Sequence, residues 1–457
     1  MAFTSRWSVF EADALRAHQA NRRPLLEEQR IHRGTIRAAD RSVLARSVPG
    51  PAGTFTRRYP TGALFGHPLG YSFTRFGRSG LERARNDELT GRREELLSIL
   101  DQLSGREREG NSVITALDPA AQRAASAALG SQRGAVVAIE PSTGRVRAMV
   151  SSPGLDPTGV AALVGAGGSR EGEAALLNRA TQGGYLPGST FKVITASAAI
   201  DSGRFTPGSA IDGSSPARIS GVPLRNFGDR SFGQIDLTTA LTNSVNTVWA
   251  RVGETLGRET LARYMRRFGF YERPGIDLPR EQRLISALYE HGESLDPESA
   301  AIDVGRVAIG QERLRVTPLQ MAMVAATIAN GGVLMEPRIT TRIVDPDGRV
   351  IERPEPRRVR RVMRRSTALA VTEMMRNVVR EGTGVAAALA GVDVAGKTGT
   401  AEIVVGEVNQ PWFIGFAPAE RPRVAIAVTV ERSTGQGGTV AAPIAARVLE
   451  ALLRSPF

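Results

Sequence analysis

A chain of 457 residues, 41% of them hydrophobic, is long enough for two domains and a sizeable core. It has no cysteine, which excludes a disulfide framework and thiolate chemistry, and its four scattered histidines (His18, His32, His67, His291) lack metal-ligand spacing, so no metal site is expected. The net charge of +13 suits anionic surroundings, whether nucleic acid, phospholipid headgroups or acidic wall polymers, but runs such as RRVRRVMRR (357–365) lack interleaved aromatics and read as a solvated face, not a nucleic-acid site. No apolar run approaches the ~18 residues of a membrane-spanning helix and no signal peptide is visible, so the sequence as it stands is expected to be soluble.

In chain order, RGTIRAADRSVLARSV (33–48) predicts two short strands around a polar turn, and GLERARNDELTGRREELLSILDQL (80–103) a helix. NSVITALDPAAQRAASAALG (111–130) predicts a strand, an N-cap at Asp118 and a helix ending at Gly130. GAVVAIEPSTGRVRAMVSS (134–152) is a hairpin signal, and the domain boundary is drawn just before it: an N-terminal domain over 1–132 and a second domain over 133–457. Helices dominate from there to three strand-like segments, DVAGKTGTAEIVVG (393–406), QPWFIGFAP (410–418) and RVAIAVTVE (423–431), and AAPIAARVLEALL (441–453) closes the chain as a helix. Strands at both ends of a domain with helices between predict an α+β fold, its antiparallel sheet joining the first strand to the last.

Of the 59 lysine and arginine residues only Lys192 and Lys397 are lysine. Lys192 lies in YLPGSTFKVITASAAI (185–200), where a turn at PGS leads into a helix predicted from Ser189 to Gly203. Positions i and i+3 share a helix face, which sets the Lys192 amine one turn above the Ser189 hydroxyl. Serine is a weak nucleophile until a base takes its proton. Arginine stays protonated and cannot be that base, whereas a buried lysine can release its proton when desolvation and a neighbouring cation lower its pKa. The plainer alternative makes Ser189 a helix cap and Lys192 a surface residue; the scarcity of lysine keeps both readings open.

Residues 391–398, GVDVAGKT, match the phosphate-loop pattern G-x-x-x-x-G-K-[ST]. That loop needs a strand before it and a helix after it. Here GVAAALA before it reads as helix and TGTAEIVV after it as strand, so no nucleotide site is expected. In DLTTALTNSVNTVWARVGETLG (236–257), Asp236 caps one helix, a second ends near Gly257, and Ser244 and Asn246 sit at the break between them, where alone they would read as N-caps.

S-x-x-K, S-x-N and K-T-G in this order form the trio of penicillin-binding proteins and serine β-lactamases. With RGTI and ADRSVLA, LNRATQGGYLPGSTFK, ALTNSVNT, IGQERLRVTPLQMAMVAATIANGG, VVREGTG, AGKTGTAE and WFIGFAP, the chain resembles the class B penicillin-binding proteins, most closely their actinobacterial branch. The resemblance implies an α+β transpeptidase domain on an elongated N-terminal pedestal, and a D,D-transpeptidase of peptidoglycan synthesis that β-lactams acylate. It implies Ser189 as nucleophile, Lys192 as general base, Ser244 as proton donor to the leaving amine, and Asn246 as partner of Lys192 or of the substrate amide. Lys397 would order charge around Ser244, Thr398 and Thr400 would bind the terminal carboxylate beside Gly399, and the backbone N–H groups of Ser189 and Thr400 would form the oxyanion hole.

No cofactor is implied. The implied partners are stem peptides, β-lactams and a separate membrane glycosyltransferase. The class carries an N-terminal membrane helix that this sequence lacks, so anchoring on the extracytoplasmic face of the cell membrane by a segment upstream of Met1 is the expectation. A β-lactamase would be shorter and lack the pedestal, a silent sensor would not need the full trio, and a carboxypeptidase shares every motif.

Overall fold

The computed structural model describes residues 29–91, 109–165, 170–404 and 407–455. Its main sheet consists of β1 (Gly134–Ile139), β2 (Val146–Ser152), β3 (Ala395–Val404), β4 (Val408–Ala417) and β5 (Val424–Val430). The strands lie in the order β3-β4-β5-β1-β2, each neighbouring pair antiparallel. First and last strands meet as expected, from Ala425 opposite Ile139 to Val430 opposite Gly134. The helices that form the core and the site are α1 (Pro119–Leu129), α2 (Lys192–Asp201), α3 (Leu237–Thr242), α4 (Asn246–Arg267), α5 (Pro318–Ala329), α6 (Arg365–Arg380) and α7 (Ala442–Arg454).

Both faces of the sheet are covered, and alternate residues divide between them. Val136, Ala138, Val150, Ile426 and Val428 pack with Ala125 and Leu129 of α1 and with Ile444, Val448 and Leu449 of α7. Ala135, Val137, Met149, Ile414 and Ala427 face the opposite core, which holds the apolar residues of α2 and α5. Strands buried on two sides read as unbroken apolar runs, which is why GAVVAI and VAIAVTV show no polar alternation. Truncating a large side chain in such a core costs about 2–5 kcal/mol. Asp118 caps α1 as predicted, accepting from the N–H groups of Ala120 (2.8 Å) and Ala121 (3.0 Å).

A second sheet of six strands runs in the order 350–352, 340–344, 112–115, 36–37, 43–49, 55–58. Two of its strands therefore come from a stretch of chain far from the other four. Asp277 ties this sheet to the larger unit, accepting from the N–H groups of Ile339 (2.6 Å) and Thr340 (2.8 Å).

Three sequence expectations need correction. The described part of the helix predicted over 80–103 is two short helices, Gly80–Ala84 and Asn86–Leu89, separated at Arg85; residues 92–103 lie outside the described residues. Glu82 of the first is fully buried between Arg33 (3.0 Å) and Arg57 (2.6 Å), a tertiary constraint that local periodicity does not carry. GVAAALA holds only a 3-10 turn at Val385–Ala387. Between β2 and β3 the helices are interrupted by hairpins such as Ala217–Ile219 with Val222–Leu224, too short for a two-residue period to register. Among the described residues no helix is long and apolar enough to cross a membrane.

Candidate active site

The Ser189 turn is held at three points. Tyr185 and Val316 exchange backbone hydrogen bonds (2.9 and 2.8 Å), and Gly188 donates its N–H to Gly310 O (2.9 Å). Between them the indole Nε1 of Trp412, on β4, donates to Leu186 O at 2.9 Å. Gly310 has φ +77°, and a Cβ there would sit 1.9 Å from Gly188 O, so nothing larger than glycine permits this approach. Ser189 lies in a 3-10 turn, Gly188–Phe191, and Lys192 is the first residue of α2, which ends at Asp201. The predicted single helix is thus a tight turn followed by a shorter helix. Side chains at i and i+3 eclipse in a 3-10 turn, so the S-x-x-K spacing keeps its meaning. Ser189 is half-buried and its hydroxyl has no hydrogen-bond partner among the described residues.

Lys192 is fully buried. Its Nζ donates to Ser244 O (2.7 Å) and Asn246 Oδ1 (2.7 Å) and lies 3.3 Å from Ser244 Oγ. Lys397, also fully buried, donates to Ser244 Oγ (2.9 Å) and Thr398 O (3.0 Å). The Ser244 hydroxyl therefore sits between two amines. Ser244 reaches this place by a left-handed backbone, φ +59°, at the break between α3 and α4. Such a conformation is costly for a non-glycine residue and marks a position fixed by its surroundings. Neither Ser244 nor Asn246 caps α4; Val245 occupies the cap position without a side-chain bond. The Asn246 amide is oriented by donating Nδ2 to Arg225 O at 3.0 Å.

Neither lysine has a carboxylate partner among the described residues. Burial, and after it the charge of Lys397, hold the Lys192 amine well below the usual lysine range. Burial alone brings Lys397 to about 7. The two ammonium groups repel across Ser244. Loss of the proton from one of them therefore lets the other keep its own more firmly.

Lys397, Thr398, Gly399 and Thr400 all lie within β3, an edge strand of the main sheet, so the phosphate-loop context is absent. Gly399 passes the Ser189 turn so closely that a Cβ would meet Pro187 O at 2.8 Å and Thr190 Cγ2 at 2.9 Å. Gly399→Ala is therefore expected to push the turn off β3 and lower β-lactam acylation about tenfold or more, since misplacement by an ångström is worth up to ~10² in rate. Stopped-flow acylation beside a thermal melt checks this, and an unchanged rate would mean that the turn yields freely. The Thr398 hydroxyl pairs with that of Thr383 at 2.6 Å, and the Thr400 hydroxyl accepts from Gly437 N at 3.1 Å.

All eight sequence-derived residues therefore gather around the Ser189 turn, Ser244 and β3. Sequence reasoning did not single out Thr383, Gly310, Trp412 or Arg225. Each acts through a backbone atom or a neighbour's side chain, and only the quoted segments REGTG, IGQ and WFIGFAP held a hint of three of them.

A serine on a tight turn, two buried lysine amines on either side of a second serine hydroxyl, and an antiparallel sheet behind define a serine acyl-transfer enzyme of the penicillin-recognising kind. Residues 134–450 match the penicillin binding protein transpeptidase domain and residues 33–113 the penicillin binding protein A dimerisation domain, and the chain belongs to this penicillin-binding protein transpeptidase family. It is similar to the peptidoglycan D,D-transpeptidase PbpA of Mycolicibacterium smegmatis, 36% identical over 98% of this chain and 94% of that protein. The structure of penicillin-binding protein A from M. tuberculosis as a ceftriaxone acyl-enzyme complex is 33% identical over 94% of this chain and 100% of that one, with a TM-score of 0.84. The D,D-transpeptidase domain of an Eggerthella lenta peptidoglycan glycosyltransferase gives 0.82 at 33% identity, over 93% of this chain and 98% of that one. This protein is a peptidoglycan D,D-transpeptidase of the penicillin-binding class, and its M. tuberculosis relative forms acyl-enzymes with ceftriaxone and imipenem.

Proposed function

We propose that Ser189 Oγ attacks the carbonyl carbon of the penultimate D-Ala in a stem peptide ending in D-Ala-D-Ala. The C–N bond breaks, D-Ala leaves, and an ester remains on Ser189. The hydroxyl proton passes to Lys192 Nζ and, through Ser244 Oγ, to the departing amine. An amine of a second stem peptide then attacks the ester, forming the crosslink and freeing Ser189. Asn246 holds Lys192, Lys397 supplies positive charge at Ser244, and the hydroxyls of Thr398 and Thr400 receive the terminal carboxylate beside Gly399. The N–H groups of Ser189 and Thr400 stabilise the oxyanion, at about 3–4 kcal/mol per donor.

One observation carries this reading. The two short bonds from Lys192 Nζ, to Ser244 O and Asn246 Oδ1, end on carbonyl oxygens that only accept. A neutral amine has two protons, and both are used there. Its lone pair is left for a hydroxyl, which is what a base needs.

We extend the proposal to a separate glycan polymerase as partner, because the matched domains over 33–113 and 134–450 are a dimerisation and a transpeptidase unit. Anchoring on the extracytoplasmic face of the membrane completes it, with the +13 charge suited to an anionic envelope. The division at residues 132/133 is part of the same proposal. The transpeptidase match and β1 both begin at Gly134, although α1, on the other side of that line, packs on the main sheet.

The test is covalent labelling. Incubation with benzylpenicillin is expected to raise the intact mass by one drug molecule, with the label in the tryptic peptide 180–192 on Ser189. The adduct should persist for minutes, because among the described residues no carboxylate pairs with either lysine to activate water. Label on Thr190 or elsewhere, or turnover within seconds, would overturn the assignment.

A further inference from the structure

Thr383 lies outside every motif of the site. It sits in the exposed loop after α6, and its N–H donates to Thr242 O at 3.3 Å, at the end of the helix that precedes Ser244. Its Oγ1 is 2.6 Å from Thr398 Oγ1. Thr398 is 5% exposed, whereas Thr383 faces solvent. The loop is packed tightly here: a Cβ on Gly382 would meet Thr242 O at 2.4 Å, and one on Gly438 would meet Thr383 O at 2.5 Å.

A hydroxyl has one proton to donate and two lone pairs to accept. For Thr400 the accepting side is used by Gly437 N–H at 3.1 Å, which leaves its proton free for an anion. Thr398 has the same need, because a hydroxyl that recognises a carboxylate must spend its only proton on it. In the pair with Thr383 either oxygen can donate. When a carboxylate takes the Thr398 proton, Thr383 is the group that then donates to Thr398, and a chain of hydroxyls polarised in one direction binds an anion more strongly than a lone hydroxyl.

We propose that Thr383 is a positioning residue of the carboxylate subsite, donating its hydroxyl proton to Thr398 Oγ1 so that Thr398 donates to the terminal carboxylate of the substrate or β-lactam. The loop bond to Thr242 O places this relay on the helix end that presents Ser244, so carboxylate recognition and the proton path share one support. The proposal rests on the reading of Thr398 as a carboxylate ligand, and its test separates the two.

Acylation rates are measured with benzylpenicillin and with its methyl ester, which puts a neutral group where the carboxylate was. Thr383→Val keeps the shape and removes the donor. It is expected to lower acylation by benzylpenicillin about tenfold, the scale of one weakened hydrogen bond to a charged group, and to leave the ester rate within about twofold. The loss should appear in the apparent dissociation constant of the pre-covalent complex more than in the limiting rate. Thr383→Ser should restore most of it. If Thr398→Val discriminates against the carboxylate substrate while Thr383→Val does not, the Thr383 proposal fails and the Thr398 reading stands. If Thr398→Val lowers both substrates equally, the carboxylate reading itself fails. If Thr383→Val lowers both equally, Thr383 only supports the loop, and the proposal is overturned.

Discussion

Lys192→Arg is expected to lower the rate of acylation by β-lactams at least about a hundredfold at neutral pH, although it preserves the charge at the position. General-base assistance is typically worth 10²–10⁴-fold, and a guanidinium cannot give up its proton in a protein. Lys192 is fully buried among Ser244 O, Ser244 Oγ and Asn246 Oδ1, so arginine also brings a fixed charge into a site that has no counter-ion among the described residues. A misfolded variant would lose activity for the wrong reason. Lys192→Met is therefore the companion, smaller and neutral, and it should be as inactive as the arginine variant while melting at or above the native temperature. Intact-mass measurement of adduct formation against time reads both. Acylation of Lys192→Arg at near the native rate would remove Lys192 from the role of base and leave Ser189 to be activated by another group.

That prediction could be framed from sequence, because the argument needs only the i, i+3 spacing and the choice of lysine in a chain that otherwise uses arginine. Other features were legible for equally local reasons. Asp118 and Asp236 announce helix starts because the cap is a bond within three residues, and the structure has both, with Asp236 accepting from Thr239 N at 2.7 Å. The inner strands β1 and β5 of the main sheet were legible because burial on both faces leaves unbroken apolar runs.

What was not legible depends on contacts distant in sequence. Ser244 and Asn246 look like caps in isolation, and nothing local says that Ser244 adopts φ +59° to face two amines 52 and 153 residues away. The Thr383 hydroxyl acquires meaning only when β3 brings Thr398 beside it. The broken helix at Arg85 and the return of residues 340–352 to the N-terminal sheet are likewise set by Glu82, Arg33, Arg57 and Asp277, whose partners no periodicity encodes.

The second large effect concerns Lys397 and pH. In the proposed mechanism the active state has Lys192 neutral and Lys397 charged. Burial and the Lys397 charge place the Lys192 transition well below the ordinary lysine range, so acylation should rise with pH as Lys192 loses its proton. Burial brings Lys397 to about 7, so in the free enzyme kcat/KM should fall again above that region as Lys397 loses its charge. An anionic substrate close to Lys397 favours the ammonium form and raises its pKa, so the fall in kcat should come at higher pH than the fall in kcat/KM. The sign for stability is the same for both lysines. A depressed lysine costs folding stability while both states are protonated, and for Lys397 that cost fades as pH rises from about 7 toward the unfolded value of 10.5. Lys397→Arg fixes the charge at every accessible pH, so it should abolish the alkaline fall in kcat/KM even where guanidinium bulk lowers the plateau. Lys397→Ala removes the charge and the 2.9 Å bond to Ser244 Oγ. It should lower acylation at pH 7 at least about tenfold, as for a lost hydrogen bond to a charged group, and move the Lys192 limb to higher pH because the repelling cation is gone. An alkaline limb that survives in Lys397→Arg would show that some group other than Lys397 sets it, and the assignment of charge to this lysine would fall.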